Sequence, residues 1–305
     1  MLGLLLVSFV AYQLWGTALF EEGAQSHLRG ELATTLHRHL PTSAASFAQT
    51  GYRGLPPLAT GPAPTEPAPA VNAPVALMSI PKIGLLDAIV EGVNSPQLEQ
   101  GPGHYPGTPL PGEAGNVAIA GHRTTYAHPF YNLNNLSLGD PIYILTGQGL
   151  FRYRVVNTQV VSPSDTAILD STSDSPTLTL TTCNPRYSAS TRLVVTAALS
   201  PGPGQKPTTA PTTPTTLPPA PKYKVIPGDA TGTTAGDALS GSTTSYWPGI
   251  LWGAATLAIA IAFWQLRRRT PVRWRWAVAI VAIPGALLCL LLCFEHVSLA
   301  LPGSF

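Results

Sequence analysis

The chain is poor in charge and in cysteine. Asp, Glu, Lys and Arg make up 10% of its 305 residues, where a soluble domain averages roughly 25%. Three cysteines cannot build a disulfide framework or a four-cysteine zinc site. A net charge of +2 supplies no basic field for a nucleic acid, so none is expected as a partner. Glu91 and Glu99 alone offer too few ligands for calcium, and neither a metal nor a cofactor is expected. Proline and glycine, by contrast, number 32 and 28. One soluble globule is therefore excluded; apolar segments and proline-rich spacers must share the length with a smaller core.

Three segments have the composition of membrane spans. Residues 1–20 carry no charge and are long enough to cross the hydrocarbon core. They lack a basic leading region and a small-residue cleavage site, so a retained anchor is expected rather than a signal peptide. Trp247–Leu266 and Trp276–Phe294 are the second and third. The loop between them, residues 267–275, carries Arg267, Arg268, Arg269, Arg273 and Arg275, which the positive-inside rule assigns to the cytoplasm. Residues 21–246 and the tail 295–305 then lie outside the cytoplasm. Trp247, Trp252, Trp264, Trp274 and Trp276 fall near span ends, as an aromatic belt would.

Two proline-rich spacers bracket the outer core. Residues 41–74 hold eight prolines and residues 201–221 hold eight more. Such composition buries little apolar surface and prefers extended polyproline II. The expectation is a helix and spacer over 21–74, a folded domain over 75–199 and a linker over 200–246. Within the domain PTLTLTT, RLVVTAAL, NVAIA, PIYILTG and LFRYRVVNTQVV read as strands, short and rich in Val, Ile, Leu, Tyr and Thr. Gly147-Gln148-Gly149 reads as a hairpin turn. These features predict an all-β, closed antiparallel barrel with short helical turns.

Cys183 is the domain's one cysteine; Cys289 and Cys293 lie in the third span and read as small packing residues. An unpaired thiol outside the cell is unusual and marks a candidate nucleophile, with a buried inert thiol as the alternative. Cys183 ends a strand and shares its face with Thr177, Thr179 and Thr181, opposite Leu178 and Leu180. A nucleophilic thiol needs a base. His122, at the end of NVAIA, is the preferred partner over His104 and His128. Arg192 opens the return strand nine residues after Cys183, so the two ends meet and Arg192 becomes the candidate for oxyanion stabilisation. Arg186, within the intervening loop, is expected to be solvent-exposed.

The segments TLTLTTCNPRYSASTRLVV and NVAIAGHRTTYAHPF together resemble the sortases, cysteine transpeptidases of Gram-positive surfaces. GPGHYPGTPLPGEAGNVAIAGHR is most similar to the class E branch of actinobacteria. The resemblance covers residues 75–199 and neither the spacers nor the spans. It implies the sortase β-barrel, with Cys183 as nucleophile, His122 as general acid and base, and Arg192 as the arginine. It further implies a membrane-anchored enzyme with an extracytoplasmic catalytic domain. Such an enzyme cleaves an LPxTG-like or LAxTG-like sorting signal between Thr and Gly. It transfers the acyl group to a peptidoglycan-precursor or pilin amine. Tyr126 and Asn184 are candidate peptide-binding residues, with simple packing as the alternative for Tyr126; Asn184 stands where class E more often has His. Competing expectations are a hydrolytic cysteine peptidase on the same barrel and a non-catalytic surface-binding module.

Overall fold

The computed structural model describes residues 17–37, 58–170, 175–200, 247–269, 271 and 275–300. Two compact units divide the chain, residues 14–241 with 305, and residues 1–13 with 242–304.

The first unit is built on strands β1 (Pro74–Ile80), β2 (Leu85–Glu91), β3 (Gly103–His104), β4 (Asn116–Ala120), β5 (Pro141–Thr146), β6 (Gly149–Val161), β7 (Thr177–Asn184) and β8 (Thr191–Leu199). They close into a barrel in the order β1-β2-β3-β4-β7-β8-β6-β5. The β5–β6 turn is the expected hairpin, with Thr146 paired to Gly149 across Gly147-Gln148. The expectation of an antiparallel barrel needs correction, because β2–β3 and β4–β7 pair in parallel. A long excursion through β5 and β6 separates β4 from β7, which gives the chain room to re-enter in the same direction.

Alternation sets the core. Val117 and Ile119 of β4, Leu178 and Leu180 of β7, and Leu193 and Val195 of β8 turn into one buried cluster with Phe151 and Tyr153. Burying each of these side chains stabilises the barrel by about 1.5–3 kcal/mol. The opposite faces of β4 and β7 carry Ala118, Ala120, Thr179 and Thr181, also buried, under a second layer that includes Tyr105, Val93 and Leu98.

Helix α1 (Thr17–Thr35) lies against the barrel wall through Thr17, Glu21, Gln25, Leu28 and Leu32, a stripe at three- and four-residue spacing. Leu28 packs on Ala88 and Val90, and Leu32 on Leu77, Leu86 and Leu145. Gln25 clasps the backbone of Ala88, accepting from its N–H at 2.7 Å and donating to its carbonyl at 2.9 Å. Gly101 makes room for this contact, since a Cβ there would lie 2.1 Å from the Gln25 amide nitrogen. The helix thus begins inside the predicted anchor and ends before residue 40.

The first proline-rich stretch is fixed on the barrel from Leu58 onward. Ala59 N–H donates to the Leu150 carbonyl at 2.8 Å and Ala63 N–H to the Gly112 carbonyl at 2.7 Å. An extended chain without internal hydrogen bonds leaves its amides free for such bridges. The short helix α2 (Ser95–Leu98) follows β2.

The second unit contains α3 (Trp247–Arg269) and α4 (Arg275–Ala300), the latter with Pro284 inside it. Three spans were expected. Among the described residues one helical segment, Trp247–Leu266, is long and apolar enough to cross a membrane. The comparable apolar stretch of α4 is the shorter Ile283–Phe294. Residues 1–16 of the expected anchor lie outside the described residues, as do residues 201–246 of the expected linker and residues 270 and 272–274 of the arginine-rich loop. Cys293 packs against α3, its Sγ 3.4 Å from the Gly249 carbonyl.

Candidate active site

The sheet register brings the chemical groups together. The β4–β7 ladder ends with Ala120 opposite Thr181. It is prolonged by Gly121 N–H donating to the Thr181 carbonyl at 3.1 Å and by Thr182 Oγ1 donating to the Gly121 carbonyl at 2.7 Å. His122 follows directly after this prolonged ladder, as Cys183 does on β7. On the other flank Cys183 pairs directly with Arg192 across β7 and β8. Neighbouring β4, β7 and β8 therefore lead into or carry His122, Cys183 and Arg192 at adjacent ends. Gly121 is required here because a Cβ would lie 2.7 Å from the Phe130 ring, which presses on this strand end.

All three side chains are withdrawn from solvent; Cys183 is 5% exposed and His122 fully buried. Burial pushes the Cys183 thiol up, against the pull of the Arg192 guanidinium and then that of Arg123. Burial also holds His122 down at about 3. The resting groups are thus a neutral thiol and a neutral imidazole, and the two arginines favour the thiolate. Arg192 Nη1 donates to the carbonyls of Ala189 at 3.0 Å and Thr191 at 3.2 Å, which aligns its head beside β7.

The remaining expected residues have other surroundings. Tyr126 is buried and stacks on His122 with ring centroids 5.0 Å apart. Tyr126, Ala127 and His128 all have left-handed backbone, with φ of 47°, 50° and 48°, a conformation that strains side-chain-bearing residues. The Tyr126 N–H donates to Thr17 Oγ1 of α1 at 3.2 Å, tying this turn to the helix. Asn184 works as a clasp: its Oδ1 accepts from Arg123 at 2.7 Å and its Nδ2 donates to Thr191 Oγ1 at 3.1 Å. His104 faces Glu91 Oε2 at 2.7 Å and the Pro109 carbonyl at 3.0 Å, a buried strut between β2 and the following loop. His128 is exposed and lies beside Tyr131. Arg186 was expected to be solvent-exposed. Instead it sits 4.0 Å over the Tyr131 ring and donates to the Tyr131 carbonyl and to Asn132 and Asn134.

Two residues escaped the sequence reading. Arg123 is 4% exposed and donates to the Cys183 carbonyl at 3.0 Å and to Asn134 Oδ1 at 3.0 Å. A charge directly after the candidate histidine, in a chain so short of charge, was the available signal. Tyr105 places its hydroxyl 3.3 Å from Thr181 Oγ1, and its ionisation is influenced by both Arg192 and Cys183. Burial pushes that hydroxyl up to about 12. Nothing in the turn-rich sequence around it marked it out. Among the described residues no group of three or more His, Cys, Asp or Glu is gathered as a metal site.

A thiol flanked by a base on one strand and a cation on the next suits acyl transfer through a thioester. The barrel is thus a scaffold fitted for cysteine-dependent acyl chemistry. Comparison with known proteins narrows the class. Residues 78–200 match the family described as Sortase domain. Sortase SrtE1 of Streptomyces coelicolor is 32% identical over 208 residues, 63% of this chain and 53% of that protein. Sortase D of Bacillus subtilis is 38% identical over 109 residues, 36% of this chain and 54% of that one. The crystal structure of sortase E1 from Streptomyces coelicolor is 34% identical, with a TM-score of 0.40, covering 44% of this chain and 91% of that one. Residues 78–200 thus match the sortase family, and the chain is similar to sortases of class E and class D. It spans about half the length of the curated relatives it matches.

Proposed function

We propose that this chain is a membrane-anchored cysteine transpeptidase of the cell surface, acting on C-terminal sorting signals of surface proteins. The observation that supports this reading most is the register that pairs Cys183 with Arg192, beside the end of β4 from which His122 follows. Proton transfer from Cys183 to His122 gives the thiolate–imidazolium pair, a minor state at rest because burial opposes both charges. The thiolate attacks the carbonyl carbon of the Thr–Gly bond in an LPxTG-like or LAxTG-like peptide. The carbonyl oxygen takes up negative charge, and the Arg192 guanidinium stabilises it. His122 protonates the departing glycine nitrogen as the C–N bond breaks, leaving a thioester on Cys183. An amine from a peptidoglycan precursor or a pilin lysine then attacks the thioester, and His122 accepts its proton. Arg123 acts one step back, holding the Cys183 carbonyl and Asn184 and adding positive charge near the thiol.

The test is product analysis with an LAxTG-like peptide and added glycinamide. Transfer yields the threonyl glycinamide, whereas a hydrolytic peptidase yields only the free threonine acid. Absence of both products would leave a non-catalytic binding module as the correct reading.

A further inference from the structure

Tyr126 is 5% exposed and lies with its ring against the His122 imidazole, the centroids 5.0 Å apart and the planes inclined by 29°. So buried a ring presents little surface to a peptide. The backbone of His122 is fixed independently of this stack. Its carbonyl accepts from the Phe130 N–H at 3.0 Å, and the Gly121 N–H before it donates to the Thr181 carbonyl at 3.1 Å. These bonds hold the main chain but not the side-chain torsions that aim an imidazole, and an aromatic face at this distance restricts those.

The seat of Tyr126 is strained. Tyr126, Ala127 and His128 carry φ of 47°, 50° and 48° in succession, and none is glycine, so each crowds its Cβ against the following carbonyl. Such a run persists only where surrounding contacts over-determine it. Two of these contacts are local: His128 N–H donates to the Thr125 carbonyl at 2.8 Å, and Tyr131 N–H to the His128 carbonyl at 2.9 Å. A third comes from outside the loop. Tyr126 N–H donates to Thr17 Oγ1 of α1 at 3.2 Å, and Thr17 is itself buried. Thr17 is placed by a helix docked along its length, where Gln25 clasps Ala88 and Arg29 pairs with Asp87 at 3.1 Å. One chain of contacts thus runs from the barrel wall through α1 and Tyr126 to His122, within one compact unit.

We infer that Tyr126 is a positioning residue for His122, holding the imidazole in the orientation that serves Cys183 and the departing amine, and that α1 belongs to the catalytic unit because it seats Tyr126. The inference rests on the transpeptidase reading above. It places a functional requirement in Thr17–Thr35, outside the residues 78–200 that match the sortase family. His122 must take a proton from Cys183, give it to the departing nitrogen and accept another from the incoming amine. Each transfer needs the ring within hydrogen-bond reach and correctly aimed. A ring free to turn therefore slows turnover without weakening peptide binding.

The experiment is steady-state kinetics of the full chain in detergent, with an LAxTG-like peptide and glycinamide, kcat being expressed per folded chain. Tyr126→Leu keeps an apolar side chain and removes the aromatic face; kcat is expected to fall about tenfold or more with KM unchanged. Tyr126→Phe keeps the face and is expected to retain kcat. A raised KM with unchanged kcat in Tyr126→Leu makes Tyr126 a peptide-binding residue and overturns the inference. A lowered melting temperature with both kinetic constants unchanged makes it a packing residue and overturns the inference as well. Should Tyr126→Leu not fold, Thr17→Val decides, since it keeps the ring and removes the acceptor for its backbone; a kcat equal to that of the unsubstituted chain overturns the inference. The peptide adduct formed on Cys183 without amine separates the two readings. Its absence from the unsubstituted chain removes the transpeptidase reading and the inference with it. Its presence, with unchanged kinetics in Tyr126→Leu, removes the inference alone.

Discussion

Glu21 is 4% exposed and its Oε1 has no hydrogen-bond partner among the described residues, so Glu21→Gln has a consequence for stability whose magnitude follows from the structure. In the unfolded chain Glu21 has an ordinary carboxyl near 4.5, and in the folded protein it is pushed up to about 9. Below pH 4.5 both states hold the proton and the group contributes no pH dependence. Above it the unfolded chain releases the proton while the folded protein keeps it, so stability falls as pH rises until the folded group ionises near 9. The slope is about 1.4 kcal/mol per pH unit, or about 3 kcal/mol between pH 5 and pH 7. Gln has the same shape and no proton to lose. Its buried amide adds a constant offset but no slope. Asp87, raised to about 6, and His122, lowered to about 3, titrate in wild type and variant alike and cancel in the difference. Thermal unfolding of residues 14–241, which form one compact unit, is the assay. The melting-temperature difference, variant minus wild type, is expected to grow by about 8 °C from pH 5 to pH 7. Parallel pH curves for the two proteins would refute the buried, unpartnered state of Glu21.

Three further outcomes are expected. Arg192→Lys keeps the charge and loses the planar fork, so kcat falls by about 10²-fold with KM little changed, as for loss of one oxyanion donor; a raised KM with unchanged kcat would make Arg192 a peptide-binding residue. Alkylation of Cys183 by iodoacetamide titrates with a midpoint above that of a free thiol, because burial disfavours the thiolate, and Arg123→Met moves the midpoint higher still; a midpoint below the free thiol's would contradict the electrostatic description. Thr17→Val removes the acceptor for the Tyr126 N–H and is expected to lower kcat through the His122 stack, with Thr17→Ser restoring it; equal kinetics for Val and Ser would show that α1 does not steady that turn.

The strands were legible because alternation and β-branched residues encode them locally. NVAIA and TLTLTT each turn Val, Ile or Leu inward and Ala or Thr outward, and the same parity located Cys183 and His122 off the core face. The parallel β4–β7 pairing was not legible, since strand order is decided by how distant segments pack rather than by either strand's composition. Helix α1 was missed as a docked element because its buried stripe is half polar, with Thr17, Glu21 and Gln25 beside Leu28 and Leu32. Gln25 satisfies its amide against the backbone of β2, a contact that hydrophobic periodicity does not register. The strap from Leu58 was hidden for a related reason, since its attachment runs through backbone bridges. At the candidate site, the surroundings of Arg123, Asn184 and Arg186 depend on the folding of two loops onto each other, and spacing along the chain carries no trace of that.

The central claim is that Cys183 carries the acyl group between two substrates. The most direct measurement is the intact mass of the full chain after incubation with an LAxTG-like peptide and no added amine. The account predicts a mass increase equal to the peptide up to its threonine, minus water, that maps to Cys183, is released by hydroxylamine and is absent from Cys183→Ala. An adduct that persists in Cys183→Ala, or no adduct on the wild-type chain while the peptide is being cleaved, would contradict it.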